Sequence, residues 1–160
     1  MRIGDITEAH HGRLLRLNAD FVHWLSPLDE AGLNYILARA DYAKQIDEGD
    51  GVLIGYAHDV DYPGHGNLDW LRGRLNNFFY IDRVIINGAA HGRGLGRTLY
   101  DDVTQFARAV GYDWLACEVN THPDNPGSHA FHLRKGFTAM GEQAFPEKDK
   151  AVRYYAKALN

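Results

Sequence analysis

Cysteine is almost missing from this sequence: Cys117 is the only one among 160 residues. That excludes an intramolecular disulfide and any zinc cluster built on cysteines, and it fits a reducing compartment. Positive charge is not in excess either, since 17 basic residues stand against 21 acidic ones and the net charge is −4. With no global field to gather nucleic acid, any anion has to be held locally, and Arg83, Arg93 and Arg97 are the candidates. Apolar runs stop well short of the ~20 residues that span a bilayer, and the opening Met1-Arg2-Ile3-Gly4-Asp5 lacks the apolar core of a signal peptide. The expected location is the cytoplasm, away from membranes. Internal repeats and low-complexity tracts are also missing. Only the stretch from Asp59 to Arg74, rich in Gly, Asp, Pro and aromatics, reads as a long connection.

What is present is ordinary globular composition, 45% hydrophobic and 24% charged, in a length that suits one domain over residues 1–160. A chain of this size buries roughly 70% of the surface its unfolded form exposes. The elements read as a strand at Arg2 to Ile6, a helix from about Glu8 to Trp24 and a second helix after Asp29 up to about Ala40. Strands follow at Asp41 to Ile46, Val52 to Ala57 and Phe78 to Asn87, the last apolar almost throughout. A helix beginning near Arg97 is the firmest element, because Leu95, Leu99, Val103, Phe106 and Val110 recur at helical spacing and Gly111 stands where a helix ends. A strand from Trp114 to Asn120, a short helix between Pro126 and Gly136, and strands at Phe137 to Ala144 and Ala151 to Lys157 complete a mixed sheet.

The run His91-Gly92-Arg93-Gly94-Leu95-Gly96 joins the apolar strand Val84-Ile85-Ile86 to that helix. Alternate glycines remove the Cβ atoms that would keep a ligand from the main chain, and the helix N-terminus adds unpaired N–H donors, so the run suits a phosphorylated ligand. A nucleoside-triphosphate P-loop would need Gly at position 91 and Lys at position 97, where His91 and Arg97 stand. The dinucleotide fingerprint fails too, since its last glycine falls on Arg97 or Leu99. The pattern Arg/Gln-x-x-Gly-x-Gly/Ala is met except at its first residue.

At this loop the chain resembles the GNAT superfamily of N-acetyltransferases, in which the pattern grips the pyrophosphate of acetyl-coenzyme A. About 30 residues downstream, Asn125-Pro126-Gly127-Ser128-His129-Ala130-Phe131-His132 with Lys135-Gly136-Phe137 is similar to the family's Asn-x-x-Ala/Ser-x-x-Phe-Tyr and Gly-Phe ending. The departures are His91 for Arg/Gln and His132 for Tyr. The resemblance implies an α/β (α+β) fold, with a mixed central sheet of about six or seven strands, about four flanking helices and splayed central strands forming the cofactor cleft. It implies that the main chain of Val84, Ile85 and Ile86 pairs with the pantetheine arm. Donors from His91, Gly92, Arg93, Gly94, Leu95, Gly96, Arg97 and Thr98 would hold the pyrophosphate, and Asn125, Ser128 and Phe131 would line the other wall.

Acetyl transfer from acetyl-CoA to an amine needs a base for the amine, a stabilised oxyanion and a proton for the thiolate. His132, at the family's tyrosine position, is the leading acid; with an ordinary pKa of ~6.5, roughly a quarter of it is protonated at pH 7. A packing histidine is the competing reading, and a metal pair with His129 finds no third ligand. Asp82 and Glu118 are acids within apolar strands on either side of the cleft. By strand alternation Asp82 shares a face with Tyr80, Val84 and Ile86, so it is a candidate base, weighed against an ion pair with Arg83 or Arg72. Glu118 reads first as structural and Cys117 as a small buried hydrophobe. The acceptor pocket should draw on the first two helices and on Asp59 to Arg74, with Tyr62, His65, Trp70, Trp24 and Tyr35 as aromatic surface and Asp59 and Asp61 as acids. The reading is an N-acetyltransferase acting on a small-molecule or peptide amine by direct attack in a ternary complex, with a homodimer left open. The alternative is a non-catalytic acyl-CoA-binding module using the same cleft.

Overall fold

Apolar alternation along the chain resolves into seven strands and five α-helices in the computed structural model, which describes residues 1–160. In chain order these are β1 (Ile3–Asp5), α1 (Glu8–Asp20), α2 (Glu30–Arg39), β2 (Tyr42–Ile46), β3 (Gly51–Ala57), α3 (Gly66–Arg72) and β4 (Phe78–Ile86). Then follow α4 (Leu95–Val110), β5 (Trp114–His122), α5 (Pro126–Arg134), β6 (Thr138–Phe145) and β7 (Lys150–Ala158). The strands form one sheet in the order β1-β2-β3-β4-β5-β7-β6. All neighbours run antiparallel except β4 and β5, so the sheet is mixed as expected, with one helix more than the sequence suggested. No helix is long and apolar enough to cross a membrane.

Each face of the sheet is covered. Leu14 and Leu17 of α1, Leu33 and Ile36 of α2 and Leu68 and Leu71 of α3 pack on Ile54, Tyr56, Tyr80 and Tyr154. On the other face Leu95, Leu99, Tyr100 and Val103 of α4 pack on Leu53, Phe79, Ile81 and Tyr155. Each of these fully buried aliphatic side chains contributes roughly 1.5–3 kcal/mol. Helix α4 stops at Gly111, whose φ of 103° suits glycine and whose N–H donates to Ala107 and Arg108. Val110, the last apolar residue of the expected stripe, is 57% exposed because it lies beyond the sheet edge.

Three expectations need correction. Helix α1 ends at Asp20 rather than Trp24, because the Trp24 indole donates to the Asp124 carbonyl at 3.1 Å and the Trp24 carbonyl accepts from Asn120 at 2.8 Å. Those contacts across the cleft draw the chain out of the helix. The supposed connection from Asp59 to Arg74 contains α3, capped by His65, whose Nδ1 accepts the Leu68 N–H at 3.1 Å. The third correction concerns β4, where Arg83 pairs with Ile54 but Ile81 pairs with Gly55, leaving Asp82 as an extra residue in a bulge. Asp82 therefore faces the α3 side with Tyr80, while Val84 and Ile86 face α4. Gly55 permits this: a Cβ there would lie 2.4 Å from the Phe79 ring and 2.7 Å from the Tyr80 carbonyl oxygen.

Candidate active site

Beyond Tyr80 and Ala116 the parallel strands β4 and β5 no longer pair. The gap opens a groove of about 580 Å³ bordered by Val84, Ile85 and Ile86 on one side and by Asn125, Ser128 and Phe131 on the other. His91 and Gly96 line it too, and Phe21, Trp24 and Leu25 roof it. At this end the main-chain donors divide. The N–H groups of His91, Arg93 and Thr98 donate to Gly88, Ala90 and Gly94, whereas those of Gly92, Gly94, Leu95, Gly96 and Arg97 have no backbone acceptor. The free donors are thus fewer than the expected row from His91 to Thr98. Gly94 caps α4 with a φ of 76°, a backbone that a side chain would strain.

The basic residues of the loop play different parts. Arg93 is held by Asp47 at 2.7 Å and Asp50 at 3.2 Å, so it pins the loop to the β2–β3 turn. The His91 ring reaches back to the Ile86 carbonyl at 3.1 Å. Arg97 is exposed and has no acidic partner, which leaves its guanidinium open to a ligand. Leu95 is buried in the core and offers only its main chain.

A narrower cavity of about 100 Å³ continues from the groove through the sheet. It shares Val84, Tyr100, Ser128 and His132 with the groove, and Asp82, Arg83, Glu118 and Asn120 with a third cavity beyond. His132 is 3% exposed. Its Nδ1 lies 2.7 Å from the Ser128 carbonyl, which can only accept, so the proton sits on Nδ1 and Nε2 accepts the Tyr100 hydroxyl at 2.7 Å. Burial lowers the His132 pKa, reinforced by His129 and only partly offset by the Ser128 carbonyl. The imidazole is therefore less protonated than its ordinary value implies, and the hydroxyl of Tyr100 joins it at the junction. His129 instead meets the Tyr155 hydroxyl at 2.6 Å and the Asn120 carbonyl at 3.0 Å, so the two rings serve different partners. Cys117 is buried, which raises its thiol pKa well above the ordinary range and leaves it a core residue.

The third cavity, about 260 Å³, lies on the α1–α3 side. Glu118, from β5, and Asp82, from the bulge, both reach it. Burial pushes the Glu118 pKa up to about 7, aided by the Asp82 charge and opposed by the hydrogen bond that Tyr80 donates at 2.5 Å and by the charges of His65 and Arg83. Asp82 accepts from Tyr56 at 3.2 Å and from His65 Nε2 at 3.1 Å. Because His65 Nδ1 already accepts a main-chain N–H, its other nitrogen carries the proton toward Asp82. Burial alone would lower the His65 pKa, but the hydrogen bond and charge of Asp82, with the charge of Glu118, raise it overall. Arg83 is buried 3.9 Å from Asp82, its outer nitrogens bound to Asn18 and Ser26, whereas Arg72 bonds the carbonyls of His58 and Val60.

Of the aromatic residues expected here, Trp24, Tyr62 and His65 line the cavity. Trp70 instead stacks on Tyr154 at 4.0 Å, Tyr35 packs against Tyr62 and Arg39, and Asp59 and Asp61 lie outside. Lys148 and Lys150 complete the wall, and neither these nor Tyr100 carried any motif in the sequence.

A mixed sheet parted at its parallel pair, a donor-rich helix start and a channel through the sheet define an acyltransferase type of α/β protein. The chain belongs to the acetyltransferase (GNAT) family, whose model matches residues 14–137, and it is an N-acetyltransferase. It is 31% identical over 140 residues to the N-alpha-acetyltransferase RimI of Mycobacterium tuberculosis, covering 87% of this chain and 79% of that protein. Its fold matches the ribosomal-protein-alanine N-acetyltransferase of Brucella melitensis with a TM-score of 0.72 at 21% identity, over 99% of both chains. It also matches a chain of the NatC complex bound to Gag peptide and CoA, with a TM-score of 0.73 at 13% identity over 99% of this chain and 98% of that one.

Proposed function

We infer that this protein transfers an acetyl group from acetyl-CoA to the α-amine of a peptide or protein N-terminus. The observation that carries the reading is the row of three adjoining cavities, from a groove beside free main-chain donors, past Tyr100 and His132, to a cavity lined by Glu118. The relative RimI acts on N-terminal α-amines by its name, and the NatC complex holds CoA and a peptide together. Both support this acceptor over a small free amine.

The groove suits coenzyme A, because the helix start beside it, which lines it through His91 and Gly96, carries five N–H groups without a backbone acceptor and the exposed Arg97. Val84, Ile85 and Ile86 would hold the pantetheine arm, with Asn125, Ser128 and Phe131 opposite. Acetyl-CoA supplies the activated acetyl group and a thiol as leaving group. Glu118, with a pKa near the working pH, accepts the proton of the incoming amine at a carboxylate oxygen. The Asp82–His65 pair holds the wall beside it. At the junction the Tyr100 hydroxyl donates to His132 Nε2, so it protonates the departing thiolate only by turning its hydrogen from the imidazole to the sulfur, and the acid role passes from His132 alone to the pair. Trp24 and Leu25 line all three cavities.

The test is incubation with acetyl-CoA and synthetic peptides bearing free N-termini, followed by mass mapping of the product. Acetyl on the α-amine is expected. Acetylation confined to lysine side chains or to small amines would overturn the peptide N-terminus as acceptor.

A further inference from the structure

We propose that the acceptor is an N-terminus followed by an acidic residue at its second or third position, read by Lys148 and Lys150. This rests on the N-terminal acetylation inferred above. The acceptor cavity carries two acids, Asp82 and Glu118, and three basic side chains, Arg83, Lys148 and Lys150. Arg83 lies beside Asp82 and offsets it locally. That leaves one carboxyl group, already close to half neutral near pH 7, against two ammonium groups.

Neither lysine forms an ion pair. Each remaining acid of the β6–β7 hairpin is turned elsewhere: Glu142 pairs with Arg153, Asp149 faces His122, and Glu147 is not part of the cavity wall. Lys150 is half-buried, and burial with the like charges of Lys148 and Arg83 lowers its pKa, only partly offset by the charge of Glu118. A carboxylate on the ligand relieves that repulsion and desolvation together. The cavity is therefore divided, with a proton-accepting end at Glu118 for the amine and a cationic end for an anionic side chain. A neutral or basic second residue gains nothing at the cationic end, and a basic one is repelled.

The reaction is unchanged, so the prediction is one of selectivity. Three peptides identical except for Glu, Gln or Lys at the second position, and a second set varied at the third, are compared by kcat/KM at low ionic strength. In at least one set Glu should exceed Gln by about fivefold to tenfold, carried mainly by KM, with Lys below Gln. The Glu advantage should shrink as salt is added. Lys148 is exposed, so Lys148→Glu is compatible with the fold, and it should bring the Glu-to-Gln ratio to one or below. Lys150→Gln should lower the same ratio. Equal kcat/KM for Glu and Gln peptides in both sets overturns the acidic preference while leaving N-terminal acetylation standing. Turnover of free glutamate above every peptide, or of no peptide at all, overturns the acceptor reading itself.

Discussion

In the proposed reaction Glu118 and Tyr100 decide the proton transfers. A base must be ionised to work, so kcat should be low below pH 7 and rise to a plateau above it as Glu118, with its pKa of about 7, loses its proton. Glu118→Gln should remove that limb; a pH–rate curve that keeps it would exclude Glu118 as the base. Tyr100→Phe keeps the ring against Phe131 and Phe137 but removes the hydroxyl. It should lower kcat by about 10² with little change in the KM for acetyl-CoA, and an unchanged kcat would take Tyr100 out of the mechanism. The Asn125 to His132 motif marks the helix that carries His132, but its spacing does not show that the His132 lone pair meets a hydroxyl from α4. That contact joins residues 32 apart in the chain, and no local spacing encodes it.

The β4 bulge shows where element-level reading reaches its limit. Alternation along Phe78 to Ile86 gives the strand but puts Asp82 on the same side as Val84, whereas one extra residue in the bulge places them on opposite sides. The signal lay in the partner strand, where Gly55 alone has room beside the Phe79 ring. Gly55→Ala should therefore cost about 1–3 kcal/mol in urea unfolding, and a smaller loss would mean that the bulge adapts easily. Helix α4 was readable from its apolar stripe, whereas α3 was hidden because a histidine, an unusual cap, begins it after a glycine-rich stretch. The loop before α4 divides its arginines by pairing rather than by sequence. Arg97→Ala should weaken coenzyme A binding several-fold by calorimetry, as loss of a charge-assisted contact requires. Arg93→Ala should act less on binding, since Arg93 is spent on Asp47 and Asp50; the reverse order would relocate the pyrophosphate.

Across the whole molecule, the two faces of the sheet divide the work. The α4–α5 side offers the free N–H groups, the α1–α3 side offers Glu118 and the lysines, and the gap between β4 and β5 joins them. Two motifs on one side were enough to give the class of fold, and they border the groove between β4 and α5. The far side was illegible because its residues come from the α1–α2 connection, α3 and the turn before it, two strands and the β6–β7 hairpin, brought together only by folding. The proposed direct transfer requires both substrates to be bound before the acetyl group moves. Initial rates of coenzyme A release, measured while acetyl-CoA and an N-terminal peptide are varied together, test this most directly. Intersecting double-reciprocal lines are the expected result; parallel lines, the mark of an acetylated enzyme, would contradict direct transfer through the channel.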